Sequence, residues 1–155
     1  MRVITAPERA DTLVAPTIFL AGSIEGDTAA KWQTHVIEAL RQEQGTILNP
    51  RRAAWDNSWS CTITNPVFKE QVEWELSGIE RSDIVAFYFD PGTKSPITLL
   101  ELGLALAMKK KTLIACPDTF WRKGNVDITA TRYGVPVLSS LEELIEALRA
   151  KNPLT

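Results

Sequence analysis

Glu101 is the only ionisable residue in the stretch Ile97-Thr98-Leu99-Leu100-Glu101-Leu102-Gly103-Leu104-Ala105-Leu106-Ala107-Met108. A helix that is apolar nearly all round is a buried helix. A carboxyl buried there without partners either costs stability or keeps its proton at a raised pKa. Two readings follow: Glu101 pairs with an arginine for structural reasons, or it faces a cavity where its charge does chemistry. Ser95-Pro96 opens this helix, which places Glu101 in the second turn. There the helix dipole favours an anion.

Other residues could join it. Asp83 stands directly before the apolar run Ile84–Phe89, either as a second reactive carboxyl or as a plain helix-to-strand turn residue. Asp90 ends the same run, and Asp90-Pro91-Gly92 reads as a turn. Ala21-Gly22-Ser23 would let a backbone approach a ligand closely, with Ser23 a donor to a hydroxyl or phosphate, though the spacing lacks the GxGxxG pattern of a dinucleotide site. Arg51-Arg52-Ala53-Ala54-Trp55-Asp56-Asn57-Ser58-Trp59 puts two tryptophans in a polar loop, where they either stack on a planar base or pin the loop to the surface. Trp74 and Trp121 read as packing residues, Trp32 as helix core, and His35 as a solvated or core-satisfied side chain.

These groups must be positioned by a chain of 155 residues, the size of one compact domain. At 45% hydrophobic and 23% charged the composition is globular, which excludes disordered, collagen-like and coiled-coil classes. With 17 basic and 19 acidic residues the formal net charge is -2, so the basic footprint of a nucleic-acid polymer or anionic-membrane binder is missing. The single histidine excludes mechanisms that need two imidazoles, and Cys61 and Cys116 lack the spacing of a zinc site or a disulfide framework. No cofactor and no metal is expected. No signal-peptide core or bilayer-spanning run is visible, so the expectation is a soluble chain in a reducing compartment, the cytoplasm for a bacterial protein.

The pattern along the chain predicts alternating strands and helices. After an N-terminal extension over 1–16, Thr17–Gly22 reads as a buried strand, Asp27 as an N-cap, and Trp32, Val36, Ala39 and Leu40 as the buried stripe of a helix that stops at Gly45. Thr46–Leu48 is a second strand ended by Asn49-Pro50, and Asn65-Pro66 opens a helix with Phe68, Val72, Leu76 and Ile79 inward. Ile84–Phe89 and Thr112–Cys116 are further strands, Val135–Val137 is a short edge strand, and Leu141–Leu148 is the last helix. The expected architecture is a single α/β domain, flavodoxin-like or Rossmann-like, whose parallel five-stranded sheet carries helices on both faces. Ligands bind outside the carboxyl ends of such strands. That rule gathers the loops 22–27, 49–59 and 90–95 around one crevice.

Taken together, Ile18-Phe19-Leu20-Ala21-Gly22-Ser23, Ser82-Asp83-Ile84-Val85 and Leu99-Leu100-Glu101-Leu102-Gly103-Leu104-Ala105 resemble the nucleoside 2-deoxyribosyltransferase family and its nucleotide N-glycosidase relatives. Asn49-Pro50-Arg51-Arg52 and Phe68-Lys69-Glu70-Gln71-Val72-Glu73-Trp74-Glu75 are similar to its more divergent bacterial branch. The resemblance spans roughly 17–108. It implies that Glu101 is a nucleophile attacking the anomeric carbon of a nucleoside, and that Asp83 passes protons to and from the base. Two carboxyl groups with opposite roles are the logic of retaining glycosidases. Together with the residues read above, the expected binding set is Phe19, Gly22, Ser23, Asn49, Arg51, Trp55, Ser95 and Asn125. Phe19 stands where the better-known transferases have a tyrosine, and Ser95 where they have a second aspartate. Asn125 is the candidate for a residue donated across the subunits of a homo-oligomer.

Three activities remain open at this stage. One is transfer of a deoxyribosyl group from one base to another. The second is hydrolysis of a nucleoside or its 5'-monophosphate with water as acceptor, a reading in which Arg51 supplies charge for the phosphate. The third is a non-catalytic nucleotide-binding module, against which the retained Glu101 charge argues. The expected partners are a nucleoside or nucleotide and a free base, with no nucleic-acid polymer and no membrane.

Overall fold

The computed structural model describes residues 1–9, 11–24, 29–56 and 58–150. Its strands are β1 (Arg2–Thr5), β2 (Thr17–Gly22), β3 (Thr46–Asn49), β4 (Ile84–Tyr88), β5 (Lys111–Ala115) and β6 (Val137–Leu138). Its helices are α1 (Trp32–Ala39), α2 (Pro66–Arg81), α3 (Pro96–Ala107), α4 (Lys123–Arg132) and α5 (Leu141–Arg149). All strand pairs are parallel, in the order β1-β3-β2-β4-β5-β6. Without β1 this is the flavodoxin-like order, whose switch point falls between β2 and β4.

The apolar runs form the central strands because both of their faces are covered. Phe19, Val85 and Phe87 point to one side, where Ile79, Leu102, Ala105, Val126 and Ala130 of α2, α3 and α4 meet them. Ile18, Leu20, Ile84 and Ala86 point to the other, against Trp32, Val36 and Leu40 and against Leu144 and Leu148 of α5. Asn65 caps α2 as its sequence predicts, its Oδ1 accepting from the N–H groups of Val67 and Phe68 at 3.1 and 3.4 Å, with Pro66 at the first helical position. The expected cap Asp27 lies outside the described residues. The residue preceding α1 is Lys31, which makes no side-chain cap.

Two elements depart from the expected plan. The sheet has six strands, because Arg2–Thr5 pairs with Thr46–Asn49 at the edge. The stretch 7–16 then runs back across α2 and β3: Trp74 Nε1 donates to the Glu8 carbonyl at 2.8 Å, and Val14 N–H to Thr46 Oγ1 at 2.9 Å. The other is α4, where only Val126 and Ala130 are buried in an otherwise polar segment.

Candidate active site

At the switch point, β2 leaves the sheet through Gly22 and Ser23, and β4 through Tyr88 to Asp90. Gly22 is held by close approach of neighbouring chain: a Cβ there would stand 2.5 Å from the Trp32 ring and 2.6 Å from the Tyr88 carbonyl oxygen. The buried Ser23 then knots the two loops. Its N–H donates to Tyr88 O at 3.2 Å, and its Oγ accepts from Asp90 N–H at 2.9 Å and from Thr93 Oγ1 at 3.0 Å. Ser95 Oγ closes the cluster, bonded to Ser23 Oγ and, at 2.6 Å, to Thr93 Oγ1. Asp90 acts as the turn residue read from sequence, accepting from Gly92 N–H at 2.9 Å, and also from Ala30 N–H at 2.7 Å.

Ser95 begins α3 in the left-handed conformation, at φ 48° and ψ 50°, without a side-chain cap. Few residues other than glycine adopt this region. Glu101 follows in the second turn and is 7% exposed. No cation among the described residues pairs with it. Burial pushes its carboxyl up to about 8, and the Glu75 carboxylate of α2 adds to the rise by repulsion. Burial also raises Glu75, while a hydrogen bond from Gln71 acts the other way. Gln71 Nε2 donates to Glu75 Oε1 at 3.0 Å and to the Pro50 carbonyl at 2.8 Å. Burial and the charge of the half-buried Glu75 act together on Glu101, so at neutral pH the pair holds a proton.

The expected partner of Glu101 was Asp83, and the structure does not bring the two together. Asp83 precedes β4, at the amino edge of the sheet, about 16 Å of strand away from the crevice. There it is exposed, and its Oδ2 accepts from Thr17 N–H at 2.7 Å while its own N–H donates to Thr17 O at 2.8 Å. It closes the β2–β4 ladder. The carboxyl whose charge acts on Glu101 is Glu75, which the sequence reading missed. Its signal was present: position 75 is seven residues after Phe68 and four before Ile79, on the inward stripe of α2, so it is a carboxyl on an apolar face just as Glu101 is.

The remaining candidates divide. Phe19 is wholly buried, its ring 6.2 Å from Trp74 and directly under Gly78, where a Cβ would come within 2.5 Å of it. It sets how closely α2 lies on β2. Arg51 Nη1 donates to Ala30 O at 3.3 Å and to Gln33 Oε1 at 3.2 Å, and Nη2 to Ala29 O at 3.4 Å. The guanidinium thus ties the β3 loop to the start of α1. Asn49 Oδ1 accepts from Arg51 N–H at 3.1 Å. Trp55 packs edge-on to Trp59 at 5.2 Å, and Arg52 covers Trp59 while pairing with Glu70 at 3.4 Å. The two tryptophans thus pack within the loop, and the Arg52–Glu70 pair ties it to α2.

Asn125 is exposed on α4, away from this cluster in the single chain. Trp121, expected as packing, is 47% exposed, with Lys94 and Arg122 within 4.4 and 4.3 Å of its ring. A groove of about 810 Å³ lies elsewhere, between the 8–13 segment and α2, lined by Arg9, Trp74 and Arg81 but not by Glu75 or Glu101. No three His, Cys, Asp or Glu side chains among the described residues are grouped as a metal site requires.

Fold and site define a flavodoxin-like domain with a buried glutamate, Glu101, and a half-buried one, Glu75, beside its switch point. A family model described as nucleoside 2-deoxyribosyltransferase like matches residues 15–120, and the chain belongs to that family. Among curated proteins none matches. The crystal structure of a conserved protein from Enterococcus faecalis V583 superimposes with a TM-score of 0.62 at 17% identity, covering 88% of this chain and 98% of that one. At that identity the likeness is one of fold. No helix among the described residues is long and apolar enough to cross a membrane.

Proposed function

We propose that the protein cleaves the N-glycosidic bond of a nucleoside, with Glu101 as nucleophile and Glu75 as proton carrier, and passes the sugar to a second base. The observation that carries this reading is the buried Glu101, which no cation among the described residues pairs with and whose carboxyl is raised by burial and by the Glu75 charge. Substrate binding brings an anomeric carbon that gains positive charge as its bond to the base stretches. That charge favours Glu101 as the anion and leaves the proton of the pair on Glu75. A Glu101 oxygen bonds to the anomeric carbon, the carbon–nitrogen bond breaks with its electrons going to the base, and Glu75 protonates the base as it leaves. An incoming base reverses the sequence: Glu75 takes its proton, its nitrogen bonds to the anomeric carbon, and Glu101 is released as carboxylate. With water in place of the second base the same steps are hydrolysis.

Incubation with deoxyinosine, with and without adenine, tests the proposal. Deoxyadenosine is the expected product. Free hypoxanthine alone would assign hydrolysis, and an unchanged substrate would leave a binding module. Transfer should be undiminished in EDTA.

The reading includes a homo-oligomer. The helix that carries Glu101 exposes Ile97, Leu100, Leu104 and Met108 at 58, 60, 39 and 46%. A helix apolar on all sides is normally covered on all sides, and a second copy of this face supplies a cover without charged groups.

A further inference from the structure

Gln71 is buried, and its amide is held in one orientation. The Pro50 carbonyl at 2.8 Å can only accept, so Nε2 must face it, and from there the same Nε2 donates to Glu75 Oε1 at 3.0 Å. Its own Oε1 is left buried without a partner. A turned amide would set that oxygen against the Pro50 carbonyl, which can only accept, and is worse still. A side chain that keeps an orphaned acceptor in order to aim two N–H groups is serving what they point at.

We propose that Gln71 is a positioning residue that confines the transferable proton of Glu75 to Oε2. The inference rests on the assignment of Glu75 as proton carrier. A protonated carboxyl accepts through its carbonyl oxygen and donates through its hydroxyl. With an amide N–H fixed on Oε1, that atom becomes the carbonyl oxygen and Oε2 bears the hydrogen. When the glycosidic bond breaks, the Oε2 proton passes to the leaving base, and the resulting carboxylate keeps the Gln71 bond on Oε1. The incoming base returns its proton to Oε2. The charged group facing Glu75 is Glu101 on α3. Arg52 of the β3–α2 connection pairs with Glu70, and Arg51 is engaged at Ala29, Ala30 and Gln33.

The test is a carboxyl-detected NMR titration of protein carrying 13C-labelled glutamate, the Glu75 signal being assigned by its loss in Glu75→Gln. In the wild type the Gln71 side-chain amide protons should shift with the same midpoint as the Glu75 carboxyl. In Gln71→Met, which keeps the length and removes the donor, the Glu75 midpoint should rise by about one pH unit. The limb of the transfer pH profile that reports Glu75 should move with it. A Gln71 amide that is blind to the Glu75 titration, or a midpoint unchanged in the variant, overturns the inference. The wild-type arm decides the matter even where Gln71→Met does not fold. Both NMR readouts are independent of turnover, so a protein with coupled signals and no glycosidic activity would overturn the functional reading and leave the positioning role standing.

Discussion

Glu101 on α3 and Glu75 on α2 are coupled in one direction: the Glu75 charge adds to the rise that burial imposes on Glu101. No cation among the described residues pairs with either, and burial works in the same direction for both. The folded chain therefore binds a proton at neutral pH that the unfolded chain has released. Stability is full below about pH 4.5, the ordinary value for glutamate, and is lost as the pH rises toward about 8, where Glu101 ionises in the fold.

The slope across that window should approach about 1.4 kcal/mol per pH unit at its steepest. Glu101→Gln, which removes the titrating group, should flatten it. Urea melts at several pH values are the measurement, and a variant that is less stable than the wild type at pH 8 would contradict the unpaired state of Glu101. The same variant should have no detectable turnover, and a 2-fluoro-2-deoxy substrate analogue should leave a covalent adduct on wild-type Glu101 alone.

Glu75→Gln and Asp83→Asn should part company. The first should lower turnover with ordinary bases by about 10²–10⁴-fold, with adduct formation from an activated leaving base persisting. The second touches a bond to Thr17 N–H at the far edge of the sheet, so it should leave turnover within about twofold while costing about 1 kcal/mol. Steady-state kinetics on the two variants with one substrate suffices, and an inactive Asp83→Asn of normal stability would reverse the assignment.

Gly78→Ala should couple packing to chemistry. The added methyl meets the ring of the wholly buried Phe19, so α2 must lift from β2. Overpacking of this kind costs about 1–3 kcal/mol. Glu75 lies one turn earlier on α2, so kcat should fall although the substitution touches no reacting atom. Denaturation and kinetics on one preparation give both numbers.

Ser23→Ala should act mainly on stability. It strands the Asp90 N–H, while Thr93 Oγ1 keeps the Asp90 carbonyl and Ser95 Oγ, at a cost of about 1–3 kcal/mol. A KM that rises many-fold with unchanged stability would instead show Ser23 to be a substrate contact.

Charge placed on the open face of α3, as in Leu100→Glu with Leu104→Lys, should convert an oligomer to monomers without unfolding them. Sedimentation velocity reads this directly, and a wild type that is monomeric at micromolar concentration would refute the homo-oligomer.

Much of this molecule was legible in its sequence, and the misses have physical causes. β2, β4 and α3 are continuous apolar runs because they are covered on both sides, and such runs advertise themselves. Arg2–Thr5 does not, since an edge strand of four residues with polar ends draws its identity from β3, more than forty residues away. Helix α4 is Lys-Gly-Asn-Val-Asp-Ile-Thr-Ala-Thr-Arg, with two inward residues to mark a period. Asp83 is a different case. The rule that sets the crevice at the carboxyl ends of the strands already sets a residue immediately before β4 at the opposite end. Glu75 had the signature that singled out Glu101, blurred by the acidic neighbours Glu70 and Glu73 on the same helix.

Position 95 is where selection for heat tolerance and selection for turnover would pull apart. A serine in the left-handed region costs about 1–2 kcal/mol that glycine would not. Removing its hydroxyl would leave Ser23 and Thr93 still bonded to each other at 3.0 Å. Laboratory evolution scored on melting temperature alone should therefore find Ser95→Gly early. Screened for activity, the same library should discard it, because a glycine there loosens the joint from which α3 carries Glu101.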